Sequence, residues 1–495
     1  MWLHILAFCG FYVGGAGAKM FNNATEVVLM RHGTTTVLSM QNNYQGPPEN
    51  FAMVVPVPVV VKEDQVKTLE PEVFAKIDTL GAPRLVEYWE QDPCGRDYDE
   101  VYRDLPGAAV TEEDDADEGG EDEEKEYHVK IEAKFSVAEY NIVVLSAEQS
   151  TGLKRWLVDH HYTIPKDAEP LLRPYVEQGT KWFVAKVDPK KVKFKDGMAT
   201  LSPLRFYYDS PELSLPIRLG LASSAGTQDL IVNILAPNTR YEVANYPNVT
   251  IPTNLPVKDD VRTHFGEFYA ALFDHALAQA PGAVVTEYAW DSGSCDPCPG
   301  PTLDGNDLAT LGQDVLGKTY KDVTAYGFTL TRLHARYGKE LKDDLVFRAV
   351  EPIMGGRGIP DPQGKMDEAV HTNAGTNNFQ GRYVILHPWD GAVACASPVR
   401  GRWGGPHGNQ QIGATPATNL AFAPRGASLS SFVAGDVPSI GILSSGGAQL
   451  PKPVRQPQGC GCRTEGGAQG LVGFATLGLC LLRGRKSSRR SSRRA

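Results

Sequence analysis

TEVVLMRHGTTTVLSM, residues 25–40, decides how the chain is read. Two runs rich in Val, Leu, Met and Thr, 25–30 and 35–40, flank His32-Gly33, where a glycine supplies the backbone freedom that a tight turn between strands requires. The stretch is a predicted β-hairpin. Outward from it, residues 51–61 form a Val-rich extended run whose Pro56 and Pro58 lack an N–H for a ladder, which assigns it to an edge or an extended segment. Residues 127–135 alternate, 142–145 follow as a short strand, and Leu153, Trp156 and Leu157 give 147–160 helical spacing. Further strands are expected at 181–187, 201–208, 217–221, 230–235 and 284–290. Residues 259–280 are the clearest helix, with Phe265, Phe268, Tyr269, Leu272 and Leu277 on one stripe and Pro281-Gly282 ending it. A second helix is predicted over 323–337. The expected class is α+β, mainly antiparallel strands with several helices and stabilised by disulfides. No fixed-period repeat is visible, which argues against solenoids and propellers.

Length and composition describe a globular protein with room for two or three domains: 495 residues, 42% hydrophobic and 22% charged. A net charge of -10 argues against a nucleic-acid partner, which would be held by Lys and Arg on its phosphates. The average hides two blocks. Residues 111–126, TEEDDADEGGEDEEKE, hold eleven carboxylates against one lysine, and such a run buries no core. Residues 483–494, RGRKSSRRSSRR, hold seven basic residues and no acid.

That basic tail follows an apolar stretch, GLVGFATLGLCLL at 470–482, which itself follows Cys460-Gly461-Cys462. A transmembrane helix needs about 20 apolar residues, so the stretch is marginal as a permanent span. Lys and Arg immediately behind it would hold the chain in a membrane with its cysteines outside. The pattern resembles the myxobacterial C-terminal sorting signal, which implies processing near Cys460 and Cys462 by a C-terminal processing enzyme and transfer to the cell surface. Residues 1–18 are apolar and end in a small-residue triplet, yet lack the basic start of a signal peptide; they read as a partial or mis-started leader.

The stretch from Cys9 through the hairpin to Val60 resembles the start of the mature body in domain-of-unknown-function family 2330. The likeness recurs at EYWEQDPC (87–94), EYAWDSGSCDPCPG (287–300), TRLHARYG (331–338) and RYVILHPWDGAVACASPVRGRWGG (382–405). It covers about residues 9–405 and implies a secreted or envelope protein with no assigned reaction. The organisation expected is a leader and start of the mature body at 1–18, an α+β body at 19–405 carrying the acidic insertion, a Gly/Pro/Ser-rich spacer of low complexity at 406–459, and a sorting or anchoring signal at 460–495.

Several local patterns imitate sites. Arg31-His32-Gly33 matches the RHG of histidine phosphatases but runs straight into a returning strand, which favours a hairpin turn. Cys295-Asp296-Pro297-Cys298 can be a redox pair, half a zinc site or a disulfide. Pro299, Gly300 and Pro301 preclude the helix whose N-terminus would lower a thiol pKa. In an oxidising compartment Cys94, Cys295, Cys298 and Cys395 are disulfide candidates, with three connectivities open. His387, Asp390 and Cys395 offer a base, an orienter and a thiol nucleophile, but neighbours on one loop seldom come within hydrogen-bond reach while facing a pocket. His264, Glu267 and His275 lie at helical spacings as a metal cluster would, but they border an amphipathic stripe, which favours polar flank residues. The acidic run imitates a calcium loop without its flanking helix or its fifth-position ligand. His160-His161 point apart on a helix end, and Gly355-Gly356-Arg357-Gly358 lacks the Lys-Ser/Thr of a phosphate loop. No catalytic, cofactor or metal residue is therefore assigned. The expected role is binding or structure at the cell envelope, with an envelope hydrolase or thiol-redox enzyme built on His387 and Cys395 or on Cys295 and Cys298 as the alternative.

Overall fold

The computed structural model describes residues 11–13, 25–41, 52–95, 128–160, 168–195, 198–223, 228–324, 326–338, 343–367, 369–372, 375–408, 411–417, 423–435, 437 and 440. Most of the leader with Cys9, the acidic run 111–126 and the tail with Cys460 and Cys462 lie outside the described residues.

Thr25–His32 and Thr35–Met40 pair antiparallel as the hairpin, with His32 opposite Thr35 and Gly33 at φ +54. Glycine adopts that conformation without the steric cost other residues carry. The hairpin is the middle of an eleven-stranded sheet. On one side follow Leu204–Asp209 and Val66–Thr68. On the other, Thr25–His32 lies parallel to Gln228–Pro237, followed by antiparallel Phe328–Tyr337 and Val284–Asp291. Shorter strands extend the sheet beyond Val284–Asp291.

One face of this sheet places Val27, Leu29, Val232, Ile234 and Leu333 in a core shared with Met53, Val55, Ile142, Val144 and Phe183. Those partners belong to a five-stranded antiparallel sheet ordered Phe11–Val13, Ala52–Val57, Lys181–Val187, Tyr140–Ala147, Val129–Val137. Alternate residues of Ala52–Val57 and Lys181–Val187 point the other way, against the helices Ser150–Asp159 and Glu169–Glu177. The opposite face of the large sheet packs Val28, Met30, Tyr288 and Leu330 on the helix Glu72–Gly81 and on Leu308, Leu311 and Leu316. A third sheet pairs Arg84–Glu90 parallel to Arg382–His387, and the helix Phe265–Gln279 fills the core between Val285 and Ala289 of the large sheet and Leu85, Tyr383 and Ile385 of the third. Sheets and helices with mostly antiparallel pairing make the fold α+β.

Pro56 shows why a proline fits within Ala52–Val57. Among the described residues, Phe11–Val13 pairs with Ala52, Met53 and Val54, and Pro56 has the single partner Trp182.

Three expectations are corrected. The helix over 323–337 is instead a strand, Phe328–Tyr337. From Phe328 to Ala335 its residues are buried on both faces, which blurs the apolar period, although Arg332, His334 and Arg336 alternate with Leu333 and Ala335. The strand expected at 217–221 is a 3-10 helix, Arg218–Ser223; the Asp344 carboxylate accepts from the N–H groups of Ile217 and Arg218, which removes them from any ladder. The spacer expected from 406 carries core residues: Ala417, Leu429, Phe432, Val433, Val437 and Ile440 are buried beside the helix Phe265–Gln279, so the body extends at least to Ile440.

Candidate functional site

The most unusual chemistry of the body is an ionic network under the central sheet. Where Val284–Asp291 pairs with Phe328–Tyr337, the register slips between Thr286 and Tyr288 and leaves Glu287 as the extra residue of a β-bulge. A bulge re-aims the side chain it carries. Here the Glu287 carboxylate meets Arg332 and His334, two residues apart on the neighbouring strand and hence on one face. Glu287 Oε1 accepts from the Tyr269 hydroxyl at 2.5 Å and stands 2.6 Å from His334 Nδ1; Oε2 accepts from Arg332 Nε at 2.8 Å. His334 Nε2 lies 3.1 Å from Asp229 Oδ1. Both ring nitrogens therefore face carboxylates, and since each must donate, the ring is an imidazolium. Burial opposes that charge, but Glu287 and Asp229 raise the His334 pKa. Burial likewise opposes the charge on Glu287, and His334 with Arg332 brings it down to about 2. The His334 ring stacks on Phe273 with centroids 3.9 Å apart.

The network continues in both directions. Outward, Arg336 bonds Asp229 and Asp274, and Arg425 bridges the same two carboxylates at 2.7 and 2.6 Å. Inward, Arg332 Nη1 bonds Asp78 of the helix Glu72–Gly81 at 2.8 Å, and Glu26 lies close enough to feel both charges. Four cations, Arg332, His334, Arg336 and Arg425, face five carboxyls, Glu26, Asp78, Asp229, Asp274 and Glu287. The balance is even if Glu26 is neutral. Chemically the network clamps strand, helix and the chain at 425 in one arrangement, since removing one member leaves a buried charge without its partner.

The second notable region joins the residues singled out in the sequence. Cys94 and Cys395, separated by 301 residues, stand at disulfide distance with Cα atoms 5.6 Å apart; Cys295 and Cys298 do so at 4.9 Å. Beside the first pair, His387 Nε2 lies 2.7 Å from Glu87 Oε2, and Arg262 grips the same carboxylate with Nε and Nη2 at 2.8 and 2.6 Å. Those bonds hold Glu87 below the usual carboxylate range, Arg262 contributing most. The partner of His387 is thus Glu87 from a neighbouring strand, and the Cys395 sulfur faces Cys94, so His387, Asp390 and Cys395 do not assemble as base, orienter and nucleophile.

The remaining patterns resolve locally. Arg31 donates to Thr34 O, Thr36 Oγ1 and Ser210 O, so its guanidinium closes the hairpin. His32 sits edge-on to Tyr320 and 3.3 Å from Asp322. His264 and His275 turn to the carbonyls of Asp260 and Ile440, His160 to that of Trp156, while His161 lies outside the described residues. Gly358 O accepts from Tyr88 and Arg382. Among the described residues no three His, Cys, Asp or Glu are grouped to hold a metal ion, and no helix is long and apolar enough to cross a membrane.

Sequence reasoning passed over Tyr269, Glu287, Arg332 and His334. The available signal was the alternation in TRLHAR, which sets three cationic residues, Arg332, His334 and Arg336, on one face of a strand. The model of domain-of-unknown-function family 2330, uncharacterized proteins conserved in bacteria, matches residues 4–348. No curated protein and no solved structure matches the chain.

Proposed function

The chain belongs to domain-of-unknown-function family 2330, and on that premise we propose that it is exported and held at the bacterial cell envelope through its C-terminal end, where its disulfide-stabilised body serves a binding or structural role. The observation that carries this reading is the Cys94 and Cys395 pair, two thiols 301 residues apart brought to bonding distance. Such cross-links form and persist in oxidising compartments and are rare where thiols are kept reduced. Support of a second kind comes from Cys460 and Cys462, the apolar stretch at 470–482 and the arginines behind it, a sequence suited to pausing in a membrane for a processing enzyme. The partners this reading names are that enzyme and the cell envelope or membrane, with no nucleic acid and no cofactor. A hydrolase built on His387 and Cys395 is disfavoured, because Glu87 and Cys94 occupy the two groups it would use.

The test is fractionation of cells carrying an epitope in the body, with peptide mapping under non-reducing conditions. The expected result is body in the envelope fraction, Cys94 linked to Cys395, and mature protein lacking the peptides of 483–494. Full-length protein in the cytosol with free thiols overturns the proposal.

A further inference from the structure

A buried guanidinium, that of Arg84, donates to the Cys295–Cys298 loop at Pro297 O, and that of Arg382 stands beside it on the neighbouring strand. Arg84 and Arg382 open two parallel strands and stand opposite each other in register. Both are buried, and neither forms an ion pair among the described residues. Arg84 donates to the carbonyls of Leu80, Ala82 and Pro297, and its Nε is buried without a hydrogen-bond partner among the described residues. Arg382 donates to Asn254 Oδ1, the Tyr88 hydroxyl and Gly358 O. Like charges directly opposite in adjacent strands repel, and a buried cation without a counter-charge is costly. Arg357 adds a third guanidinium, 5.1 Å over the Trp290 ring. Against these three stand Asp296, largely exposed and 3.9 Å from Arg357, and Asp291 at the end of the same strand as Tyr288.

Side chains of the scaffold hold this loop in place. Pro297 O accepts from Arg84 at 3.0 Å, Asp296 O from Gln380 at 2.5 Å and Ser294 O from Tyr288 at 3.5 Å. All three donors are buried in the sheets. The loop backbone thus has anchors that persist when the sulfurs part. Of the two cysteines, Cys298 is exposed, whereas Cys295 packs against the apolar cluster under the helix Glu72–Gly81.

We infer that Cys295 and Cys298 are a working dithiol–disulfide pair that exchanges with the dithiol of a partner protein, the guanidiniums of Arg84, Arg382 and Arg357 favouring the thiolate state. In the reducing direction a partner thiolate attacks Cys298 Sγ. The Cys295–Cys298 bond breaks and its electron pair leaves on Cys295 as a thiolate. The partner's second thiolate then attacks its own sulfur in the mixed disulfide and releases Cys298, so the partner is oxidised and the pair reduced by two electrons, protons coming from solvent. Redox pairs of this spacing usually draw such stabilisation from a helix N-terminus. Pro299 and Pro301 exclude one here, and in this inference Arg84 and Arg382, from two parallel strands, and Arg357, from a loop, take its place.

The experiment titrates the oxidised full chain with dithiothreitol, traps thiols by alkylation and follows the fold by near-ultraviolet circular dichroism. Cys295 and Cys298 are expected to alkylate while Cys94 and Cys395 stay linked and the spectrum is unchanged, and the protein should accelerate reduction of insulin disulfides by dithiothreitol. Arg357→Gln, at a half-exposed position, should slow that exchange by about three- to tenfold through loss of one neighbouring charge, and Arg357→Lys should restore it. Reduction only upon unfolding overturns the inference, as does an insulin rate that survives Cys295→Ser or ignores Arg357→Gln. Either failure leaves the envelope location standing, since that rests on Cys94, Cys395 and the tail.

Discussion

Glu26 is a carboxyl that the fold keeps protonated. Burial and then the neighbouring Asp78 push it up to about 8, against the pull of Arg332 and the Asn233 amide. Asn233 Nδ2 donates to Glu26 Oε1 at 2.7 Å, while Asn233 Oδ1 is buried with no donor among the described residues, and a protonated carboxyl beside it can donate. Because the folded value lies above the ordinary 4.5, the contribution is full below that pH and is lost as the pH rises through about 8. Glu26→Gln keeps the shape and never ionises. It is expected to gain on wild type in urea midpoint between about pH 5 and about pH 9; a constant difference would contradict a neutral Glu26. Glu287 runs the other way: lowered to about 2, it stabilises above its ordinary value, and that stability fades as the pH falls through about 2. His334, raised above 6.5, contributes fully below that pH and loses its contribution as the pH rises through its folded value. Glu287→Gln takes from Arg332 and His334 the carboxylate they share, leaving Asp78 and Asp229 to face them, and should cost about 3 kcal/mol at neutral pH, read by urea denaturation.

Among the elements, the strand Phe328–Tyr337 and the chain after 405 depart furthest from local expectation. A strand buried on both faces has no solvent side, so its apolar residues show no clean period; its cations sit inside because a bulge on the next strand brings a carboxylate to meet them. The stretch after 405 is rich in Gly, Pro, Ser and Ala, yet Leu429, Phe432, Val433, Val437 and Ile440 dock in the core. Phe432 lies 6.0 Å from Phe268, edge to face, and Val433 bridges to Val257. Phe432→Ala should therefore lower stability by about 3 kcal/mol in a denaturation experiment, whereas a residue of a solvated spacer would change it by about 0.5 kcal/mol or less.

Across the whole molecule, the Cys94 and Cys395 pair ties the strand Arg84–Glu90 to the chain beyond Arg382–His387, two strands already parallel neighbours. Replacing both cysteines by alanine should cost about 2–5 kcal/mol, the range for removing a native cross-link, seen as a lower melting temperature under non-reducing conditions; no shift would mean that the thiols are unlinked in the native protein.

Local pattern alone determined the hairpin around Gly33, the helix carrying Phe265, Phe268 and Tyr269, the α+β class and the opposite charges of the insertion and the tail, because each depends on residues within a few positions of one another. Which cysteine meets which, the placing of Glu287 between Arg332 and His334, and the facing of Arg84 by Arg382 were decided by tertiary structure. These contacts join positions tens to hundreds of residues apart, and strand order and register, rather than spacing along the chain, set which side chains share a buried face.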